Sequence, residues 1–234
     1  MNEETVQTIV NLNRRFYEQF AASFAETRQN PQPGYEQLLA LFSRDRVNRV
    51  LDVGCGNGRF GRFLSSRHIP IDYIGVDFSQ GLLSYGSEGQ GCFIARDLSR
   101  PESLAELGLY DVIVCLSTIQ HIPGHINRLR LVAEMRDHLQ IDGRLVIANW
   151  QFLDSPRQRK KIRPWQEVGI NPLDVEHNDY VLSWQRGELG LRYVAYINEH
   201  TIAELADQAG MTILTQYRSD GREGDLNLYT ILAG

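Results

Sequence analysis

Apolar residues fall into two rhythms along the 234-residue chain. Val6, Ile9, Val10, Phe16, Tyr17, Phe20 and Phe24 recur at spacings of three and four, which predicts an amphipathic helix at the start. Two prolines and a glycine in RQNPQPG break that pattern, and Leu38, Leu39 and Phe42 predict a short second helix. From Val47, continuous apolar runs alternate with helical patterns. RVLDVG, IDYIGVD, GCFIARD, YDVIVCLS and GRLVIANW predict five strands. Between them, GRFGRFLSSR predicts a helix through Phe60, Phe63 and Leu64, and SQGLLSYG a helix behind the N-cap Ser79. PESLAELG predicts a short helix opened by Pro101, and INRLRLVAEMRDHL one with Leu129, Val132, Met135 and Leu139 on a single face. Apolar strands alternating with helices predict a doubly wound, Rossmann-like parallel sheet.

After Trp150 the rhythm is lost. Residues 151–190 are polar, hold Pro164 and Pro172, and show no clear period. EHTIAELADQAG then predicts a helix closing at Gly210. MTILTQYR and LNLYTILAG predict two strands, close enough in sequence to be antiparallel. The expected fold is α/β: a seven-stranded sheet, mostly parallel with an antiparallel C-terminal strand, under an N-terminal helical cap. The expected division is a cap or lid over residues 1–45 and one domain over 46–234, with an insertion at about 151–190. An insertion between the fifth strand and the last helix of such a sheet lies at its carboxyl edge, where ligands bind.

Composition narrows the picture. A content of 42% hydrophobic residues supports one sizeable core, and there is no repeat or low-complexity tract. Cys55, Cys92 and Cys115 lie far apart in apolar segments, which argues for reduced, buried thiols in a cytoplasmic protein rather than a disulfide framework or a metal site. The start, MNEETVQTIV, lacks a secretory pattern, and no segment is apolar enough to span a membrane. A net charge of −5 gives no global attraction for nucleic acid, so no DNA partner is expected and RNA would need a local basic patch.

The chemistry begins in RVLDVGCGNGRFG. Gly54, Gly56 and Gly58 read G-x-G-x-G, while Gly56, Gly58 and Gly61 read G-x-G-x-x-G, the dinucleotide spacing. A loop starting at Gly56 would leave an aspartate and a glycine, Asp52 and Gly54, inside the strand, which is unfavourable; a loop starting at Gly54 does not. A dinucleotide brings a pyrophosphate that seeks a helix N-terminus. S-adenosylmethionine instead brings a sulfonium, an ammonium and a carboxylate, for which the acidic Asp52 beside the loop is useful. Asp77 ends the second predicted strand, where a carboxylate can accept ribose hydroxyls, and Asp97 ends the third, where an adenine amino group can be read. An NAD-dependent oxidoreductase is the alternative, disfavoured by where the loop begins.

Taken together, these residues resemble the class I S-adenosylmethionine-dependent methyltransferases over residues 47–234. The resemblance implies Gly54 and Gly56 under the methionine portion, Asp77 on the ribose, Asp97 with Leu98 at the adenine, and Leu116 offering backbone to the amino group. More narrowly, FYEQFAASFAETRQNPQPG, STIQHIPG and LRYVAYINEHTIAELADQAG are similar to segments of the tRNA wobble-uridine carboxymethyl methyltransferases. Tyr17, Arg28, His121, Arg192 and Tyr193 match that family, whereas Val194 and Ala195 replace its second tyrosine and its histidine.

Methyl transfer from a sulfonium needs orientation and a dry pocket more than acid–base help. If the acceptor is a carboxylate, as the resemblance implies, Arg192 and Tyr193 suit it; a neutral hydroxyl or amine would want a base, for which His121 is placed. Arg28 suits the methionine carboxylate. PRQRKKIRPW carries Arg157, Arg159, Lys160, Lys161 and Arg163 before Trp165, a pattern that can bind RNA backbone and stack a base. The expected acceptor is therefore tRNA or a small molecule, and a small activating protein partner is left open.

Overall fold

The computed structural model describes residues 1–86 and 91–234. Helix α1 (Glu3–Glu26) opens the chain, its N-terminus capped by Asn2, whose side chain accepts the Thr5 N–H at 2.8 Å. A single turn, α2 (Tyr35–Leu38), follows. The alternating segment then gives β1 (Asn48–Val53), α3 (Arg59–Ser66), β2 (Ile71–Asp77), α4 (Gln80–Gly86), β3 (Cys92–Ala95), β4 (Tyr110–Leu116), α5 (His125–Asp137) and β5 (Leu139–Trp150). Ser79 caps α4 as its sequence predicts, its Oγ accepting the Leu82 N–H.

The chain closes with α6 (Pro156–Arg159), β6 (Ile162–Arg163), β7 (Asp179–Arg186), β8 (Glu188–Ala195), α7 (Glu199–Gln208), β9 (Thr212–Ser219) and β10 (Asn227–Ala233). Seven strands form one sheet in the order β3-β2-β1-β4-β5-β10-β9, parallel except for β10, which runs antiparallel to both neighbours. The expected architecture is thus the observed one. The order reverses between β1 and β4, which opens a crevice at the carboxyl ends of the strands. Inward residues such as Leu51, Ile113 and Ile147 pack one face under α5 and α7; Val50, Val114 and Tyr229 pack the other against α3 and Tyr35. Among the described residues no helix is long and apolar enough to cross a membrane.

Four expectations need correction. The segment PESLAELG is not helical: Glu102 and Glu106 adopt φ values of +58° and +68°, and Glu134 of α5 takes the N–H groups of Glu102 and Leu104. The left-handed backbone at these two residues is incompatible with a continuous right-handed helix, and the Glu134 carboxylate satisfies the N–H groups of the resulting turns. Leu139 opens β5 instead of ending α5. Cys92 is exposed, because β3 is an edge strand, whereas Cys55 and Cys115 are buried. Finally, residues 151–190 are not without regular structure. They hold β6 and β7, which join β8 in a separate antiparallel sheet of three strands.

Candidate functional site

The first loop begins at Gly54, because β1 stops at Val53. Gly54, Gly56 and Gly58 all take left-handed backbone, with φ of +79°, +55° and +69°. At Gly54 a Cβ would also stand 2.1 Å from the Thr118 methyl, so only glycine fits. Above Gly56 a Cβ would meet nothing nearer than Leu82 at 4.0 Å, which leaves open space over the loop backbone. That space is the floor of a cavity of about 510 Å³, within the range of small-molecule and cofactor sites.

Three carboxylates line its strand-end side. Asp52, 2% exposed, takes the Tyr73 hydroxyl on one oxygen at 2.6 Å, and the other oxygen has no donor among the described residues. Burial pushes Asp52 up to about 7, opposed by the Tyr73 hydrogen bond and reinforced by nearby Asp77. Asp77 accepts the N–H of Gly56 on one oxygen and that of Ser79 on the other, both at 2.9 Å. It therefore fastens the glycine loop to the start of α4; burial raises its pKa against those two hydrogen bonds. Asp97 pairs with Arg14 of α1 at 2.8 Å and with Arg100 at 3.3 Å. Thr118 Oγ1 donates to the carbonyls of Gly54 at 3.2 Å and Leu116 at 3.4 Å, tying the ends of β1 and β4 together.

The opposite wall comes from α1 and the three-stranded sheet. Asn13 fixes α1 against β8 by accepting the Tyr193 N–H at 2.8 Å while donating to the carbonyls of His121 and Tyr193. Tyr17 of α1 then reaches His121 Nε2 at 3.1 Å, and His121 Nδ1 meets the Tyr193 carbonyl at 2.9 Å. A carbonyl only accepts, so Nδ1 carries the proton and Nε2 accepts from Tyr17. Burial, with Arg192 adding to it, drives His121 down to about 3. The ring is neutral and its free nitrogen is occupied.

Arg192 completes the chain. Its Nη1 donates to the Tyr17 oxygen at 3.3 Å, and its guanidinium lies 4.5 Å from the Trp150 ring centre and 5.1 Å from that of Phe16. Arg28 stacks 3.5 Å from the Phe24 ring centre, and burial with the Arg192 charge lowers it to about 9. Lys161 lines the same cavity, its pKa lowered by burial and then by Arg192, Arg157 and Arg28.

Of the residues singled out in the sequence, Tyr17, Arg28, Asp52, Gly54, Gly56, Asp77, Asp97, Leu98, Leu116, His121 and Arg192 all line this cavity. Tyr193 does not. On β8 it alternates with Arg192, so its ring faces the opposite side, where its hydroxyl donates to Asp179 at 2.7 Å and accepts from Arg128 at 3.1 Å. The structure therefore does not bring the Tyr193 side chain together with the other candidate residues. The basic run is also dispersed. Arg163 pairs with Glu167 at 2.8 Å, Lys161 turns into the cavity, and Trp165 is buried against Tyr193, leaving Arg157, Arg159 and Lys160 exposed. Trp165 is therefore not a base-stacking platform. Trp150, Phe152, Trp184, Arg14 and Arg59 line the cavity without having been anticipated; only Trp150, at the end of a legible strand, had a positional signal.

A family model described as "Methyltransferase domain" matches residues 24–216. A protein of Encephalitozoon cuniculi named as a methyltransferase is 26% identical over 203 residues, covering 86% of this chain and 87% of its own. The tRNA (carboxymethyluridine(34)-5-O)-methyltransferase of Xenopus tropicalis is 26% identical over 147 residues, covering 62% of this chain but 22% of its own length. Among solved structures, an S-adenosylmethionine-dependent methyltransferase from Clostridium acetobutylicum superposes with a TM-score of 0.63 at 14% identity, covering 92% of this chain and 98% of its own.

Proposed function

We propose that this chain, which belongs to the methyltransferase-domain family, transfers the methyl group of S-adenosylmethionine to a carboxylate oxygen. The observation that carries this reading is one cavity with acidic strand ends along one wall and the buried Arg192 along the other. The residues present fit the cofactor: the space over Gly56 admits close backbone approach, and Asp52 keeps one oxygen free for a cation. Gly54 and Gly56 would lie under the methionine portion, with Asp52 and the Leu116 backbone toward the ammonium and Arg28 toward the carboxylate. Asp77 would accept from the ribose, and Asp97 with Leu98 would meet the adenine. When bound, S-adenosylmethionine supplies a methyl group already activated on a sulfonium.

The protein's own task is then to orient the acceptor and keep water out. A carboxylate is anionic at neutral pH and needs no base, which accords with a His121 that is neutral and hydrogen-bonded at both nitrogens. His121 acts as a positioning residue: its Nε2 accepts a hydrogen bond from the Tyr17 hydroxyl and so leaves the Tyr17 oxygen to accept from Arg192. Arg192 holds the acceptor oxyanion, with Trp150 and Phe152 forming dry walls.

A second reading, tRNA as the acceptor, is favoured by the name of the Xenopus relative and by exposed Arg157, Arg159 and Lys160 beside the cavity residues Gln158 and Lys161. Incubation with methyl-labelled S-adenosylmethionine tests the main reading. A carboxyl methyl ester releases its label as methanol in mild base, whereas label retained after base treatment, as on nitrogen or an ether oxygen, overturns it.

A further inference from the structure

The cavity contains more positive charge than one acceptor carboxylate can neutralise. Five cationic side chains line it, Arg14, Arg28, Arg59, Lys161 and Arg192, against three carboxylates, Asp52, Asp77 and Asp97. Arg14 is paired with Asp97. Arg28, Lys161 and Arg192 have no carboxylate partner among the described residues. Arg192 is the sharpest case. It is 5% exposed, and among the described residues its buried Nε–H has no acceptor and its one hydrogen bond goes to the Tyr17 hydroxyl oxygen. A buried guanidinium surrounded by Phe16, Phe24 and Trp150 gains cation–π energy but keeps unspent donors. Its neighbours make the demand collective: Arg28 and Lys161 each feel the Arg192 charge. Bound S-adenosylmethionine deepens the imbalance, since its sulfonium and ammonium outnumber its single carboxylate.

The counter-charge must therefore arrive with the acceptor. Resting on the carboxylate-acceptor reading above, we infer that the acceptor is a small acid bearing at least two carboxylates, one methylated and the other held, with Arg192 and Lys161 sharing them. A small acid rather than a polymer follows from the wall. Phe16, Phe20, Phe24 and Trp184 close one aromatic cluster beside the cavity, and the basic run that would track a phosphate backbone is split between the cavity and an ion pair. In the transfer, the acceptor oxygen forms a bond to the methyl carbon as the carbon–sulfur bond breaks, its electron pair remaining on sulfur. The products are a monomethyl ester and a neutral thioether, and no proton moves. The second carboxylate keeps its charge throughout, so Arg192 and Lys161 hold product as well as substrate through it.

The test uses the full chain with methyl-labelled S-adenosylmethionine and a panel of succinate, tricarballylate, citrate, butyrate and total tRNA. Base-labile label should form on at least one di- or tricarboxylate with kcat/KM at least tenfold above butyrate. Lys161→Ala should raise KM for that acid tenfold or more with a smaller change in kcat, and Arg192→Lys should retain more activity than Arg192→Ala. Calorimetry with S-adenosylhomocysteine bound should show the same acid binding to the wild type and tenfold or more weakened binding in Lys161→Ala, while cofactor affinity is unchanged. Butyrate performing as well as the polyacids, label appearing on tRNA alone, or no acid in the panel binding or reacting would each overturn the inference. Failure to bind S-adenosylmethionine at all would instead overturn the reading it rests on.

Discussion

Asp52 lies buried at the end of β1, with the Tyr73 hydroxyl on one oxygen and the cavity beside it. Its pKa is raised from the ordinary 3.8 to about 7 by burial, so the folded protein holds a proton that the unfolded chain would have lost. Asp52 therefore favours the fold most below about pH 4, and that contribution fades as the pH rises through about 7. A cofactor cation reverses the preference by stabilising the carboxylate. S-adenosylmethionine binding should thus release a proton below about pH 7, with affinity rising by up to about tenfold per pH unit and levelling off above that value. Calorimetry in buffers of different ionisation enthalpy measures the released proton directly, and Asp52→Asn should abolish it; a pH-independent affinity in the wild type would refute the link. His121 supplies no competing signal in this range, since burial holds it near 3. Both residues were legible as strand-end positions. Their protonation states were not, because these depend on burial, on Tyr73 for Asp52, and on Arg192 for His121, residues distant in the chain.

Elements differed in legibility for reasons of packing. Strands buried on both faces, such as β1, β4 and β10, are continuous apolar runs that hardly admit another reading. The hairpin of β7 and β8 was hidden because β7 is half polar and ends in exposed Gln185 and Arg186; Gly187, with φ of +80°, was its only turn signal. This missed hairpin carries Trp184 and Arg192 into the cavity and supports α1. The support is close. A Cβ on Gly190 would stand 2.5 Å from the Phe20 ring and 2.7 Å from that of Phe16. Gly190→Ala should therefore push α1 away from β8 and cost about 1–3 kcal/mol of stability. The displacement should also loosen Tyr17 and Arg28, lowering S-adenosylmethionine affinity although the substitution lies outside the cavity. Hydrogen exchange along residues 10 to 30 should rise in the variant and fall again when S-adenosylhomocysteine is added. Unchanged protection in both states would show that α1 is held independently of this contact.

At the scale of the whole molecule, the charges are separated: a net −5 is carried by a protein whose cavity is cationic. That separation limits how RNA could be engaged. Nonspecific affinity for a phosphate backbone grows with the number of counterions displaced, and log Kobs falls with log salt by at most about 0.9 per phosphate contact. In the basic run, Arg163 is paired with Glu167 and Lys161 faces the cavity, so three exposed cations remain. Binding of total tRNA should accordingly show a salt slope no steeper than about −3. No gel shift is expected at physiological salt, where the overall negative charge adds repulsion. Replacing Arg157, Arg159 and Lys160 together by alanine should flatten the residual slope while leaving S-adenosylmethionine affinity and turnover of the acid acceptor unchanged. Lys161→Ala should instead impair turnover of the acid and leave both the slope and S-adenosylmethionine affinity unchanged, because its charge faces the cavity. A slope of about −6 or steeper would mean that more cations than these three engage the backbone, and the acceptor would then be RNA; loss of acid turnover in the triple variant would mean that the outer cations help to hold the acid.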